Sequence, residues 1–267
     1  MNRIHSFSIR SEYTGPEGRN LHVCVPKDYE TRPDTSYPVL YMHDGQNLFL
    51  DALAFQGVSW GVPQALAQAE KAGKTEGVIV VGIENAGDRR MAEYSEWPYV
   101  HAQEQVYGAS YAAFVAETVK PEIDRRYRTR PGRESTWLAG SSAGANITLS
   151  TAFRYPEVFS RLGLFSAATW IFAPEDVLGF LRARADHLMI SSMRAFIYTG
   201  TEEGGKDQNP EVSQLYIEAA LDLYRGLLTF GLSETQLALQ IRHGKIHHET
   251  AWKEVFPDFL DFLLRAE

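Results

Sequence analysis

The sequence predicts an α/β chain, with a mostly parallel, doubly wound sheet entered through antiparallel N-terminal strands. Three observations carry that expectation. From residue 38 onward, short apolar runs alternate with longer helical patterns, the signature of successive β-α-β units. The first two strand-like runs are joined by a short Gly/Pro segment, which suits a hairpin and leaves no room for a crossover helix. The run Val78-Ile-Val-Val-Gly-Ile83 has no polar alternation, as expected of a strand covered on both faces.

Residues 6–11 and 20–25 read as the lead-in pair, with a turn at residues 15–18. Residues 38–43 form a compact apolar strand that stops at Asp44-Gly45. Residues 58–71 have helical spacing interrupted near Pro63, and 78–83 is the next strand. Residues 110–127 place Tyr111, Phe114, Val115, Val119 and Ile123 on one helical stripe, with Pro121 bending or ending it. Strand 136–139, helix 143–155, strand 162–166, helix 174–186 and strand 195–199 continue the alternation. Helix 212–230 ends at Gly231, a residue suited to a C-terminal cap. Strand 236–241 and helix 250–265 close the chain. No repeat or low-complexity linker divides it, so a single domain is expected. Residues 84–108 have no evident regular structure and exceed ordinary loop length, which marks them as functional.

Composition narrows the partners. A net charge of −8 repels nucleic acid and anionic membranes, whose phosphates are negative. The basic run at residues 125–133 is broken by Pro131-Gly132 and reads as a solvated face. No apolar run is long enough to span a bilayer, and the first ten residues lack the apolar stretch of an export signal. The single Cys24 cannot form an intramolecular disulfide and suits a reducing compartment. These features predict a cytoplasmic protein with no nucleic-acid or membrane partner. They carry no sign of oligomeric state.

Gly140-Ser141-Ser142-Ala143-Gly144 fits Gly-x-Ser-x-Gly between a predicted strand and a predicted helix. That context matters more than the pattern. A serine on a tight strand-to-helix turn is lifted above the sheet edge, and the helix N-terminus favours developing negative charge. Ser142 is therefore the candidate nucleophile. It needs a base, and three late histidines compete. His243 ends a predicted strand, whereas His247 and His248 both lie in the loop before the last helix, where periodicity cannot separate them. Glu202, Glu203 and Asp207, at the carboxyl end of strand 195–199, are the candidate acids. The oxyanion hole requires backbone N–H donors. Ala143 should supply one and the loop Asp44-Gly45-Gln46-Asn47 the other.

Together these segments resemble the putative-esterase family of α/β-hydrolases, which includes enterochelin and feruloyl esterases. The likeness runs from about residue 38 to 264. It covers Tyr41-Met-His-Asp-Gly-Gln-Asn-Leu-Phe49, Lys120-Pro-Glu-Ile-Asp-Arg-Arg-Tyr127, Ala139-Gly-Ser-Ser-Ala-Gly144 and Tyr155-Pro-Glu-Val-Phe159. Gly200-Thr-Glu-Glu203 and His247-His-Glu-Thr-Ala-Trp252 complete it. The resemblance implies an α/β-hydrolase fold and a carboxylic-ester hydrolase that needs neither metal nor organic cofactor. Its Gly-Thr-x-acid pattern selects Glu203, and its His-Asn-Glu-x-x-Trp pattern selects His247. His248 stands where the family usually has asparagine, and Ala145 where it has a second glycine. Aligning Asp44-Gly45 with the wider family's His-Gly makes Gln46 the second oxyanion donor. Arg90-Met-Ala-Glu-Tyr94 matches a segment beside the cleft. Asp44, Arg90, Tyr94, Trp97 and Trp170 are accordingly expected to bind a small-molecule ester of short-acyl, aryl, sugar or siderophore type. The alternatives are an acyltransferase using the same triad and a binding protein that has kept the fold without catalysis.

Overall fold

The computed structural model describes residues 2–100, 104–185, 189–205 and 209–265. Eight strands form one sheet in the order β1-β2-β4-β3-β5-β6-β7-β8. In chain order they are β1 Arg3–Ser11, β2 Gly15–Val25, β3 Val39–His43, β4 Ile79–Ile83, β5 Thr136–Ser141, β6 Arg161–Phe165, β7 Arg194–Glu202 and β8 Leu237–Ile246. Strand β2 is antiparallel to both β1 and β4, and the pairs from β4 to β8 are parallel. This is the α/β-hydrolase arrangement that the resemblance implies.

The helices are α1 Val62–Lys71, α2 Arg90–Glu93, α3 Gly108–Ala113, α4 Lys120–Arg126, α5 Ala143–Arg154, α6 Pro174–Ala185, α7 Pro210–Thr229 and α8 Glu249–Leu264. Alternate residues of each central strand point to opposite layers, as the pleat requires. Val39, Tyr41 and Leu138 join a core with α3, α5, α6 and α7, while Leu40, Met42 and Trp137 join a second core with α1 and α8.

Several boundaries differ from the sequence reading. The hairpin turn lies at residues 12–14, where the Ser11 and Thr14 side chains bond across it, so residues 15–18 already belong to β2. Helix α1 starts only at Val62, after Gly61 at φ 63°, with Pro63 in its first turn. Residues 110–127 form α3 and α4 joined by a wide π-helical segment, Phe114–Val119. Pro121 lacks the N–H that would close an α-turn onto Glu117. Residues 84–108 are not structureless, because Arg90–Glu93 is helical. Strand β8 continues to Ile246, so His243 lies inside it. Asp207 and the predicted helix end at Asp186 lie outside the described residues. No described helix is long and apolar enough to cross a membrane.

Candidate active site

The carboxyl ends of the parallel strands deliver the side chains that matter. Asp44 follows β3, Ser142 follows β5, Ser166 follows β6, Glu203 follows β7 and His247 follows β8. In open α/β sheets this edge is where ligands bind.

Ser142 has φ 58° and ψ −126°, a strained conformation for a residue with a side chain. It is held by its own N–H donating to Phe165 O at 2.9 Å and by the helix that begins immediately after it. Glycine is required just before the turn, since a Cβ on Gly140 would come within 2.5 Å of Gly144 O. Gly144 is less constrained; a Cβ there would approach Asp44 Oδ2 to 3.3 Å. Ala143 is the first residue of α5, so its N–H belongs to the helical turn whose donors have no intrahelical acceptor. The opposing loop is a 3-10 turn, Gly45–Asn47, entered through Asp44 at φ 55°. Gln46 lies within this turn and lines the same cleft as Ser142.

Glu203 is buried, and its Oε2 lies 2.6 Å from His247 Nδ1. The other oxygen, Oε1, accepts from the Gly200 N–H at 2.6 Å, the Ser166 hydroxyl at 2.7 Å and the Thr199 hydroxyl at 3.3 Å. Without such donors a buried carboxylate costs about several kcal/mol. Ser166 also accepts from Trp252 Nε1 at 3.0 Å, and the Trp252 ring meets the His247 ring edge-on at 5.1 Å. Trp252 therefore grips both ends of the acid–imidazole pair. Glu202 is exposed, and its backbone is still paired with Ile246 in the β7–β8 ladder. His248 caps α8, its Nδ1 accepting from the Thr250 N–H at 3.1 Å. His43 is buried, and desolvation pushes its pKa down to about 3, so it stays neutral at any working pH.

Ser142, His247, Gln46, Arg90 and Trp252 line one cleft of about 250 Å³. Within it the Ser142 side chain is turned toward the Tyr216 hydroxyl and is not bonded to His247. Burial pushes that phenol up to about 12, an effect the serine contact partly offsets. The Tyr216 ring packs on His247 with centroids 4.8 Å apart. Serine hydroxyls rotate readily, and resting active-site hydrogen bonds commonly tighten only when substrate is bound.

The residues expected to bind substrate divide. Arg90 and Asp44 both line the cleft, but they form a two-pronged ion pair at 2.7 and 2.8 Å. Asn85 donates to the same Asp44 carboxylate at 2.6 Å. Their charges are thus spent on each other. Tyr94 does not line the cleft. It is wholly buried beneath His43 and Tyr111, and its hydroxyl accepts from the Asp44 N–H at 3.1 Å. Trp97 is likewise buried, edge-on to Phe172 and Phe180. Trp170 is partly exposed but lines a different cavity, between α6 and α7. The long loop packs its own aromatics inward, which is why these residues are structural neighbours of the site.

Sequence reasoning missed Ser166, Tyr216, Asn85 and Glu249. Ser166 could have been found as the residue ending a parallel strand next to the nucleophile's strand. Glu249 follows the two histidines and accepts from Asn47 Nδ2 at 3.1 Å, tying the histidine loop to the Gly45–Asn47 turn. Nothing local marks Tyr216, which arrives from the middle of α7.

Comparison with known proteins gives the family and the fold. The chain is 22% identical over 250 residues to "Uncharacterized protein YbbA" of Bacillus subtilis (strain 168), covering 92% of each chain. It is 26% identical over 173 residues to "Ferri-bacillibactin esterase BesA" of the same organism, covering 58% of this chain and 56% of that one. The solved structure of the siderophore hydrolase EstA from Aspergillus nidulans shares the fold at TM-score 0.75. Its identity is 19%, with 97% of this chain and 94% of that chain covered. The family model described as "Putative esterase" matches residues 11–217, and the chain belongs to that family.

Proposed function

We propose that the chain is a serine carboxylic-ester hydrolase acting on a small-molecule ester through an acyl-enzyme, with Ser142 as nucleophile, His247 as base and Glu203 as the acid that orients it. The supporting observation is the bond between buried Glu203 and part-exposed His247, which faces a cleft shared with a strained serine at the head of α5. Membership of an esterase family supports the reaction class.

In the first step Ser142 Oγ attacks the ester carbonyl as His247 Nε2 takes its proton. The tetrahedral oxyanion is received by the N–H groups of Ala143 and Gln46. His247 then returns the proton to the departing alkoxide, and Glu203 stabilises the transient imidazolium. Water repeats the sequence on the acyl-enzyme and releases the acid. The Asp44–Arg90 pair braces the oxyanion loop and borders the acyl side. Ser142→Ala should reduce kcat on p-nitrophenyl acetate by about 10⁴-fold or more. Retention of most turnover would defeat the assignment.

A further inference from the structure

We propose that Phe55 and Glu249 form a corner of the Ser142 cleft that recognises a positively charged group on the substrate, so that the preferred esters carry an ammonium group. This rests on the ester-hydrolase reading and narrows its substrate class.

Both residues line the same cleft as Ser142 and His247. One side chain holds them together. Asn47 is buried, its Oδ1 accepting from the Phe55 N–H at 2.9 Å and its Nδ2 donating to Glu249 Oε1 at 3.1 Å. The Phe55 backbone and the Glu249 carboxylate therefore stand at the two ends of a single carboxamide. Phe55 itself is 63% exposed, on a turn in which Gln56 takes φ 56° and Gly57 φ 73°. A non-glycine residue in the left-handed region carries backbone strain, and such strain gathers where ligands are gripped. The turn leaves an aromatic face in water, and the negative face of an aromatic ring attracts a cation.

The charges of the cleft point the same way. Its titratable lining is Asp44, Arg90, His247, His248 and Glu249. Asp44 and Arg90 neutralise each other through their two-pronged pair. His248 uses Nδ1 to accept from the Thr250 N–H, so its imidazole is neutral in that arrangement. His247 has to be neutral before it can take a proton. Glu249 is left, 4% exposed and with no ion-pair partner among the described residues. Glu203 adds a second carboxylate behind His247. Burial raises the Glu249 pKa, and the Arg90 and His247 charges do not bring it back. A buried carboxylate without a counterion is costly. An ammonium group entering the cleft would supply that counterion and lie against the Phe55 ring, whereas an anionic ester would meet an uncompensated negative charge.

The test compares kcat/KM on charge isosteres at pH 8, each corrected for the ester's rate of alkaline hydrolysis. Acetylcholine against 3,3-dimethylbutyl acetate puts the charge on the alcohol. Ethyl 4-(trimethylammonio)butanoate against ethyl 5,5-dimethylhexanoate puts it on the acyl group. In at least one pair, wild type should favour the cation about tenfold or more, the scale of one charge contact in a partly screened site. Glu249→Gln, whose amide oxygen can still accept from Asn47, should lower that ratio about fivefold or more. Phe55→Leu should lower it about two- to fivefold. A ratio taken on one preparation does not depend on how much of the enzyme is folded, and a purely structural Glu249 would lower both rates together and leave the ratio fixed. No preference for the cation in either pair, or a preference that Glu249→Gln leaves unchanged, overturns the proposal. A preference lost in Glu249→Gln but untouched in Phe55→Leu overturns the part given to the ring. Ser142-dependent turnover without charge preference sinks the corner alone, whereas turnover that survives Ser142→Ala takes down both readings.

Discussion

Among the described residues, two Ser–His–Glu sets stand out. One groups Ser142, His247 and Glu203 at the carboxyl edge of the sheet, with His247 bonded to Glu203. The other joins Ser6, His22 and Glu84 at the N-terminal hairpin, with Ser6 Oγ 2.7 Å from His22 Nδ1 and His22 Nε2 2.7 Å from Glu84 Oε1. By hydrogen bonding alone, the hairpin set is the more complete, since its serine already touches its imidazole. What differs is the backbone around each serine. Ser6 lies mid-strand directly opposite His22 in the β1–β2 ladder, its side chain exposed on a pleated surface. Ser142 stands on a strained turn at a helix N-terminus, beside a concave cleft and backbone donors that have no helical acceptor. A working triad needs an oxyanion site as well as three side chains, and of the two regions it is the one around Ser142 that has a cleft at a helix N-terminus.

Exchanging the histidines should separate the two regions most widely. His247→Ala is expected to lower kcat on p-nitrophenyl acetate by about 10⁵- to 10⁶-fold, as removing the base does in serine hydrolases. His22→Ala should leave turnover within about threefold and cost instead about 1–2 kcal/mol of stability, the price of two lost hydrogen bonds in a part-buried network. A comparable loss of turnover from both variants, measured under saturating substrate, would erase the distinction. The acids come next. Glu203→Gln should cost about 10⁴-fold, because the amide cannot hold the imidazole in the required tautomer or stabilise its charged form. Glu84→Gln should not change kcat measurably.

A smaller effect tests how Glu203 is held. Ser166→Ala deletes one donor to Glu203 and leaves Trp252 Nε1 without its acceptor. A hydrogen bond to a charged group is worth about 1.5–3 kcal/mol, so kcat should fall about 10- to 100-fold. KM should change little, because Ser166 is not among the residues lining the cleft. A rise in KM with kcat intact would mean that Ser166 shapes substrate binding and not the acid.

Much of this was legible in the residues because the constraints are local or topological. A β-branched run such as residues 78–83 has few alternatives to a strand buried on both faces, and β-α-β order forces a parallel sheet. The strand-to-helix turn at Ser142 was readable because Gly140 admits no side chain there. The end of β8 was not readable. Its last residues, Arg242 to Ile246, are polar or exposed and look like a loop, yet they pair with β7 as an edge strand. That pairing depends on Gly200, where a side chain would collide with the Lys245 backbone. Tyr94 and Trp97 misled for a related reason. Aromatics in a long loop suggest a pocket, but this loop has its own core, pinned by the buried Arg19–Glu93 ion pair at 2.9 Å. Tyr216 and Asn85 reach the site through tertiary packing alone, which no sequence spacing encodes.

The smallest expected effect concerns two carboxylates whose surroundings push them in opposite directions. Glu249, lining the Ser142 cleft, has its pKa raised chiefly by burial and further by the nearby Asp44 charge. Glu84, in the hairpin set, has its pKa lowered, mainly by its bond to His22. A raised carboxyl pKa means the folded protein holds the proton more tightly than the unfolded chain. Stability is then greatest in acid and declines as pH rises from the unfolded value toward the folded one. A lowered pKa gives the reverse, with stability present above the unfolded value and lost as pH falls through the folded one. Glu249→Gln should therefore raise Tm by about 2 °C at pH 8 and change it little near pH 4, since the amide oxygen can still accept from Asn47. Glu84→Gln should lower Tm at pH 8 by a similar amount and likewise lose its effect in acid. Thermal melts of both variants across that range would show slopes of opposite sign relative to wild type. Parallel slopes would mean that the cleft does not hold its buried charge at the expense of the fold, and that the two regions differ in backbone geometry alone.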